Sequence, residues 1–139
     1  MNIVQQLKNE EGSVAHAYQD SLGYWTIGVG RLIDERKGGL LYPDEIDYLL
    51  KNDVNRATAG IRAALPWFQV LDEARQAVLI QMAFQMGVKG LLAFSTTLSH
   101  VRVGRYAEAA VAMLESLWAK HTPERAARLS KQMETGEWI

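Results

Sequence analysis

The sequence predicts an α+β fold in which a small antiparallel sheet precedes a set of helices. Over residues 16–30, aromatic and β-branched side chains flank a glycine-containing turn, a pattern typical of a hairpin. From Pro43 onward the apolar residues recur at helical spacing instead. With 139 residues, 48% of them hydrophobic, the chain is long enough for one compact core and too short for two ordinary domains. We therefore expect one domain over residues 1–139.

The expected layout within that domain has three parts. A helix long enough to connect two lobes separates the sheet from most of the helices. The expected parts are a sheet lobe over about 13–42, a connecting helix over about 43–65, and a helical lobe made of 1–12 plus 66–139.

The first element is a short amphipathic helix. Asn2 is a suitable N-cap with Gln5 three residues later, and Gly12 is the expected C-terminal stop. Glu11 then occupies the last helical position, where the negative end of the helix dipole does not favour a carboxylate. A solvated surface glutamate is the ordinary alternative, but the unfavourable position makes Glu11 a candidate for chemistry.

The predicted hairpin places two further polar groups near each other. Asp20 lies at the turn, and Thr26 lies on the second strand with its side chain expected to face a cleft. Both have ordinary alternatives, since Asp suits turns and Thr suits strands. Residues 31–33 are expected to add a third strand, and 34–41 an exposed loop.

The rest of the chain is predicted to be helical. Pro43 suits the first turn of a helix that Pro66 stops, and Asp72 caps a helix that is apolar on every side and is expected to end at Gly87. Three more helices are expected, near 97–103, over 105–114 and after the Thr122 cap with Pro123.

Composition argues against several classes of function. There is no cysteine, and the histidines at positions 16, 100 and 121 lack ligand spacing, so no metal site is expected. A formal net charge of −1 argues against nucleic-acid binding. No apolar run reaches the length of a membrane span and no export signal is visible, so we expect no membrane insertion. Gly28-Val-Gly30 is not followed by a helix start, which argues against a nucleotide loop.

The candidate carboxylates suit glycoside hydrolysis. That reaction needs one protonated carboxyl group for the leaving oxygen and a second carboxylate that helps water or stabilises the cationic sugar. Glu11 and Asp20 are the available pair, and the Thr26 hydroxyl is suited to orient a water molecule.

The order and spacing of these residues carry a resemblance to a known family. Glu11-Gly12, Tyr18-Gln-Asp20 and the stretch 23–30 (GYWTIGVG) are similar in residues and spacing to the T-even phage lysozymes, glycoside hydrolase family 24. The likeness covers nearly the whole chain; it continues through Phe84-Gln-Met-Gly87, Phe94, Trp118, Thr122-Pro-Glu-Arg125-Ala126 and Thr135-Gly-Glu-Trp138.

The resemblance implies a lysozyme-like fold, with a small sheet lobe joined by a long helix to a larger helical lobe. It implies a muramidase that hydrolyses the β-1,4 bond between N-acetylmuramic acid and N-acetylglucosamine, with inversion and without a cofactor. By the same resemblance Glu11 is the acid, and Asp20 and Thr26 position water or stabilise the sugar cation.

The family's other site positions also fall on identifiable residues. Its sugar-contacting positions correspond to Leu32, Phe84 and Gln85, whereas Thr97 replaces a serine and Ala112 replaces an asparagine. Core packing is an equal alternative for Phe84. Arg125 resembles the arginine that contacts the acid, and Gly30 is one of the glycines expected to let substrate approach the hairpin.

Three departures from the family pattern remove no catalytic group. Arg31 stands where a histidine is usual, His121 replaces a glutamine, and the loop before Pro43 is shorter. Because the family's histidine pairs with the aspartate at the position of Asp53, Arg31 is expected to pair with Asp53, which would make stability less sensitive to pH near histidine titration.

The resemblance also implies a biological setting. We expect a monomer that acts on peptidoglycan glycan strands, stays in the host cytoplasm before lysis, and reaches the wall in the periplasm after a holin-type protein permeabilises the membrane. Two alternatives remain open: a lytic transglycosylase, and a non-catalytic peptidoglycan-binding module of the same fold.

Overall fold

The computed structural model describes residues 2–33 and 39–139 and confirms the α+β class. Most of the predicted loop over 34–41 therefore lies outside the described residues. The elements in chain order are α1 (Ile3–Glu11), β1 (Val14–Gln19), β2 (Trp25–Gly28), β3 (Arg31–Leu32), α2 (Pro43–Ala64), a 3-10 helix (Pro66–Val70), α3 (Glu73–Leu92), α4 (Ser95–Arg102), α5 (Tyr106–Leu114), α6 (Leu117–His121) and α7 (Pro123–Thr135).

The chain forms two compact units, Met1–Leu49 and Leu50–Ile139, and the boundary falls inside α2. The first unit contains α1, the sheet and the start of α2. The side chain of Glu11 at the end of α1 lies against Gly30 within this unit, and the division into a sheet lobe, a connecting helix and a helical lobe that includes residues 1–12 stays a prediction.

Capping residues set the bounds of α1 as the sequence predicts. The Asn2 side chain accepts a hydrogen bond from the Gln5 backbone N–H at 2.9 Å. At the other end Gly12 adopts φ +77°, and its N–H donates to the Lys8 carbonyl. Glu11 is therefore the last helical residue.

The sheet is antiparallel with strand order β1-β2-β3, and Thr26 lies in its middle. Thr26 is opposite Tyr18 on β1 and opposite Leu32 on β3. Residues directly opposite each other share a face of the sheet, so these three side chains lie on the same face. The predicted third strand is confirmed, although it ends at Leu32 rather than residue 33.

The hydrophobic core belongs to the second unit. Its fully buried side chains come from α2, the 3-10 helix and every later helix except α6: Ile61, Phe68, Val78, Leu79, Met82, Leu91, Val101, Ala109, Met113, Ala126 and Met133. Among the described residues of the first unit, by contrast, no large hydrophobic side chain is buried, and Ile27, Val29, Leu41 and Leu49 all remain more than a third exposed.

The helix that begins after Asp72 is interrupted at Gly87, the residue at which the sequence predicts its end. Gly87 has non-helical angles, φ +79° and ψ 161°, and a short second helical segment follows it as far as Leu92. Glycine can take this positive φ without steric cost, so α3 consists of two helical segments that meet at a kink. The 3-10 helix and α6, only five residues each, were not predicted.

One arginine joins the start of α3 to the end of α7. Arg75, in the first turn of α3, donates from Nε to the Met133 carbonyl at 2.7 Å and from Nη2 to the Glu134 carbonyl at 2.9 Å. Its Nη1 pairs with Asp72 at 3.1 Å, and its guanidinium lies 3.6 Å from the centre of the Tyr106 ring. The C-terminal carbonyls of α7 are thereby satisfied by a cation, which also suits the helix dipole.

Among the described residues no single helix is long and apolar enough to cross a bilayer; α3 and α4 meet that test only when taken together across a 99° bend.

Candidate active site

Glu11 projects from the end of α1 toward the turn between β2 and β3. A Cβ atom built on Gly30 would lie 3.0 Å from Glu11 Oε2 and 3.3 Å from its Cδ. Any side chain at position 30 would therefore crowd the carboxyl group. Gly30 also has φ +68°, which L side chains rarely adopt, so both space and backbone conformation require glycine here.

Asp20 is held by its own turn. Its Oδ1 accepts hydrogen bonds from the backbone N–H groups of Leu22 at 2.9 Å and Tyr24 at 2.8 Å. The turn closes with a bond from the Gly23 N–H to the Asp20 carbonyl at 3.0 Å. These are the turn contacts that the simpler interpretation predicted. Both side-chain bonds use Oδ1, and no hydrogen bond or ion pair of Oδ2 is found within the described part of the chain.

Thr26 is the most buried side chain of the sheet, with 3% of its surface exposed, whereas Trp25 and Ile27 on the other face are 45% and 36% exposed. The predicted alternation is therefore present, but the Thr26 side is covered rather than open. The Thr26 hydroxyl donates to the Tyr24 carbonyl at 3.0 Å. Its proton is committed to that bond, so the oxygen is available to other groups only as an acceptor.

Phe84 and Gln85 are adjacent on α3 in the second unit, and both are exposed. Phe84 retains 48% of its surface and is not part of the core, which contradicts the core-packing alternative. It lines a small depression within the second unit together with Val54, Ile80 and Arg125.

The orientation of the Gln85 amide is set by Trp118. The indole Nε1 of Trp118 donates to Gln85 Oε1 at 2.9 Å, and the indole ring meets Phe94 edge-on with centroids 6.0 Å apart. Because the amide oxygen accepts this bond, the Nε2 group of Gln85, for which no hydrogen bond is found among the described residues, would meet a ligand as a donor.

Thr97 is 2% exposed, yet it lines a cavity of the second unit that also includes Ala112. The two positions at which this chain departs from the family's sugar contacts therefore lie at one cavity.

Arg125 and Arg31, for which the sequence predicts ion pairs, each bond to a residue of their own unit. Arg125 Nη2 donates to Gln81 Oε1 at 3.2 Å, and Arg31 Nη1 pairs with Glu45 Oε2 at 2.6 Å. Asp53, the expected partner of Arg31, lies 3.4 Å from Arg56 instead. The expected pairs of Arg125 with Glu11 and of Arg31 with Asp53 would each join the two units, and they stay predictions.

The Arg31 to Glu45 pair alters both titrations. The hydrogen bond from Arg31, followed by one from the Tyr42 backbone, lowers the pKa of Glu45, and the same contact raises the pKa of Arg31. Glu45 was missed by sequence reasoning, although its place in the first turn of α2, three residues after Tyr42, is the signature of a capping acid.

The structure thus brings together Glu11 and Gly30, and Thr26 with Leu32, all within the first unit. Within the second unit it brings together Phe84 and Arg125, and Gln85 with Trp118. No group of three metal-ligating side chains is found among the described residues.

Comparison with known proteins assigns the family. The sequence matches the phage lysozyme family over residues 8–134. It is 30% identical to "Probable T4-type lysozyme 1" of Dictyostelium discoideum in an alignment that covers 97% of this chain and 95% of that protein. It is 32% identical to the endolysin of Salmonella phage P22, over 86% of this chain and 82% of the endolysin.

A third relative contains a similar sequence as part of a larger protein. The chain is 29% identical to the pre-baseplate central spike protein Gp5 of Enterobacteria phage T4, covering 98% of this chain but only 28% of the spike protein. The resemblance inferred from the motifs is confirmed, and the chain belongs to the phage lysozyme family.

Proposed function

We propose that this chain is a muramidase that hydrolyses the β-1,4 bond between N-acetylmuramic acid and N-acetylglucosamine in peptidoglycan. Glycoside hydrolase activity of the lysozyme type follows from the family, and the bond and the residue roles are our proposal. Glu11 is the general acid that protonates the leaving oxygen. Asp20 and Thr26 hold the water that attacks the sugar from the opposite face, which inverts its configuration.

The observation that carries this proposal is the fixed hydroxyl of Thr26. An attacking water must direct a lone pair at the anomeric carbon, so both its protons need acceptors elsewhere. The Thr26 oxygen can only accept, since its proton is bonded to the Tyr24 carbonyl. Asp20 Oδ2 is the matching base, because Oδ1 is held by two backbone N–H groups.

Gly30 supports the proposed role of Glu11. An acid must approach the glycosidic oxygen closely, and a glycine beside its carboxyl group leaves that space open. Among the proposed sugar contacts, Leu32 extends the face that carries Thr26. Phe84, Gln85 and Thr97 contribute an exposed aromatic ring, an oriented amide donor and a cavity wall.

The test follows the stereochemistry and mass of the first product. Wild type is expected to release product of inverted anomeric configuration in early NMR spectra of digested glycan strands, and mass spectrometry should show a reducing end hydrated by one water. Glu11→Gln should abolish cleavage while retaining binding to purified sacculi. Retained configuration would overturn the water-activating roles of Asp20 and Thr26.

The same products separate the two alternatives. A lytic transglycosylase would yield an anhydro sugar lighter by one water. If the protein is a non-catalytic binding module, both wild type and Glu11→Gln should bind sacculi and leave the glycan intact.

The proposed setting is that of an endolysin, the printed name of the P22 relative. We infer that the protein acts as a monomer, is held in the host cytoplasm until a holin-type protein opens the membrane, and then attacks the wall. Expression in a Gram-negative host should cause lysis only after a pore-forming protein or chloroform is added. Lysis without permeabilisation would contradict this part of the proposal.

A further inference from the structure

Thr26 has a larger side chain beside it on each neighbouring strand. It lies on the middle strand of the sheet, with Tyr18 directly opposite on β1 and Leu32 directly opposite on β3. Directly opposite side chains share a face and have their Cβ atoms about 5 Å apart, so both neighbours lie within reach of the threonine. Tyr18 and Leu32 are half-buried, whereas Thr26 is 3% exposed. The Thr26 hydroxyl is therefore enclosed between a phenol ring and a leucine side chain.

The acceptors around this hydroxyl distinguish water from an alcohol. The Thr26 oxygen can only accept, because its own proton is bonded to the Tyr24 carbonyl. In the proposed function Asp20 Oδ2 is the second acceptor, since Oδ1 is held by two backbone N–H groups. Water has two protons and can donate one to each acceptor while a lone pair attacks the sugar. An alcohol has one proton, so its carbon substituent must take the place of the other.

The direction of that substituent follows from the chemistry of the base. A nucleophile activated by a general base must give the base a proton, so the single proton of an alcohol goes to Asp20. Its carbon then points toward Thr26. The space beside Thr26 is already taken by Tyr18 and Leu32, and an extra carbon in a closely packed place forces its neighbours to move.

We propose that Tyr18 is a specificity-determining residue that restricts the nucleophile to water, because its ring fills the space that the carbon of an alcohol would need. The inference rests on the proposed function, which holds the attacking water between Thr26 and Asp20. In that step the water oxygen bonds to the anomeric carbon as the glycosidic bond breaks, one water proton goes to Asp20, and the Glu11 proton goes to the leaving oxygen. With an alcohol as nucleophile, the same exchange gives an alkyl glycoside. Tyr18 thus favours hydrolysis over transfer of the sugar to a hydroxyl group of another molecule.

The test measures how each protein partitions between two nucleophiles. Glycan strands are digested in buffer that contains methanol, and mass spectrometry gives the ratio of methyl glycoside to hydrated product, which does not depend on the amount of folded enzyme. Tyr18→Ala should raise this ratio about 10-fold over wild type, the effect typical of room for one more carbon in a site. Tyr18→Leu should give an intermediate ratio, and it loses less apolar surface should the alanine variant fail to fold. Tyr18→Phe keeps the ring, and Trp25→Ala truncates an aromatic side chain on the other face of the sheet, so both should keep the wild-type ratio.

The outcomes keep this inference separate from the proposed function. Equal ratios for wild type, Tyr18→Leu and Tyr18→Ala, with cleavage intact, would overturn the role of Tyr18 and leave the proposed hydrolysis standing. A ratio raised equally in Trp25→Ala would show general loosening of the sheet, and one raised equally in Tyr18→Phe would show that the ring is not what excludes the alcohol; either result would overturn the inference. An uncleaved glycan, or hydrated product of retained configuration by NMR, would overturn the proposed function itself.

Discussion

The contact between Gly30 and Glu11 permits a sharp test of where the acid must lie. Gly30→Ala adds one methyl group, whose carbon would lie 3.0 Å from Glu11 Oε2. That is closer than an ordinary contact, so the carboxyl group must move by a few tenths of an ångström. Gly28→Ala is a matched control, because Gly28 has nearly the same φ, +70° against +68°, and no heavy atom within 4 Å of the added carbon.

The two variants should lose similar stability but different amounts of activity. Placing alanine in the left-handed region costs about 1–2 kcal/mol in either case, which lowers Tm by a few degrees. Misplacing a reacting group by about 1 Å costs roughly 100-fold in rate, so a shift of a few tenths of an ångström predicts about a 10-fold loss of kcat for Gly30→Ala. Gly28→Ala should keep kcat within about two-fold of wild type.

Turbidity of permeabilised Gram-negative cells gives the relative rates, and calorimetry gives Tm on the same preparations. A Gly30→Ala protein as active as Gly28→Ala would refute the claim that Gly30 keeps space for the acid. A Gly28→Ala protein as impaired as Gly30→Ala would show that backbone strain, rather than crowding of the carboxyl group, causes the loss.

Three further predictions concern stability, the sugar contact and pH. Arg75→Ala removes two charge-assisted bonds to the C-terminal carbonyls of α7 and should lower the free energy of unfolding by about 2–3 kcal/mol in chemical denaturation, with unchanged activity at low temperature. A loss below about 0.5 kcal/mol would contradict this stabilising role of Arg75. Trp118→Phe frees the Gln85 amide to rotate and should raise KM more than it lowers kcat, whereas a pure kcat effect would argue against an orienting role. The pKa of Glu45 is lowered in the folded protein, so its pair with Arg31 stabilises the fold above the ordinary glutamate pKa, and this stabilisation is lost as the pH falls through the lowered pKa. The Tm difference between wild type and Glu45→Gln should therefore be constant from pH 6 to 8 and vanish in acid. A change of that difference centred on histidine titration would contradict this assignment.

The local elements could be predicted because their signals lie within a few residues. The caps of α1 at Asn2 and Gly12 each act over three or four residues, so the position of Glu11 followed directly. The register that places Thr26 opposite Tyr18 agrees with the predicted hairpin for the same reason.

Contacts between residues far apart in the sequence could not be predicted from local patterns. Trp118 and Gln85 are 33 residues apart, and Arg75 and Met133 are 58 apart, so only the packing of the helices brings each pair together. Gly87 is a local signal that acts as predicted, since the backbone leaves the helical region there, but the short helical segment that follows as far as Leu92 was not predicted. The pair of Arg31 with Glu45 joins residues 14 apart, and the family's pattern gave no indication of it.

The confinement of the buried core to the second unit has a consequence for how this protein tolerates change. Glu11, Asp20 and Thr26 all lie in the unit that contributes almost nothing to that core. Residues 2–33 and 39–49 should therefore exchange their amide hydrogens ahead of α3, α5 and α7, and truncation of an apolar side chain there should cost little global stability. The residues proposed for the chemistry and those that form the buried core therefore lie in different stretches of the sequence, so the loss of activity and the loss of stability should respond to different substitutions.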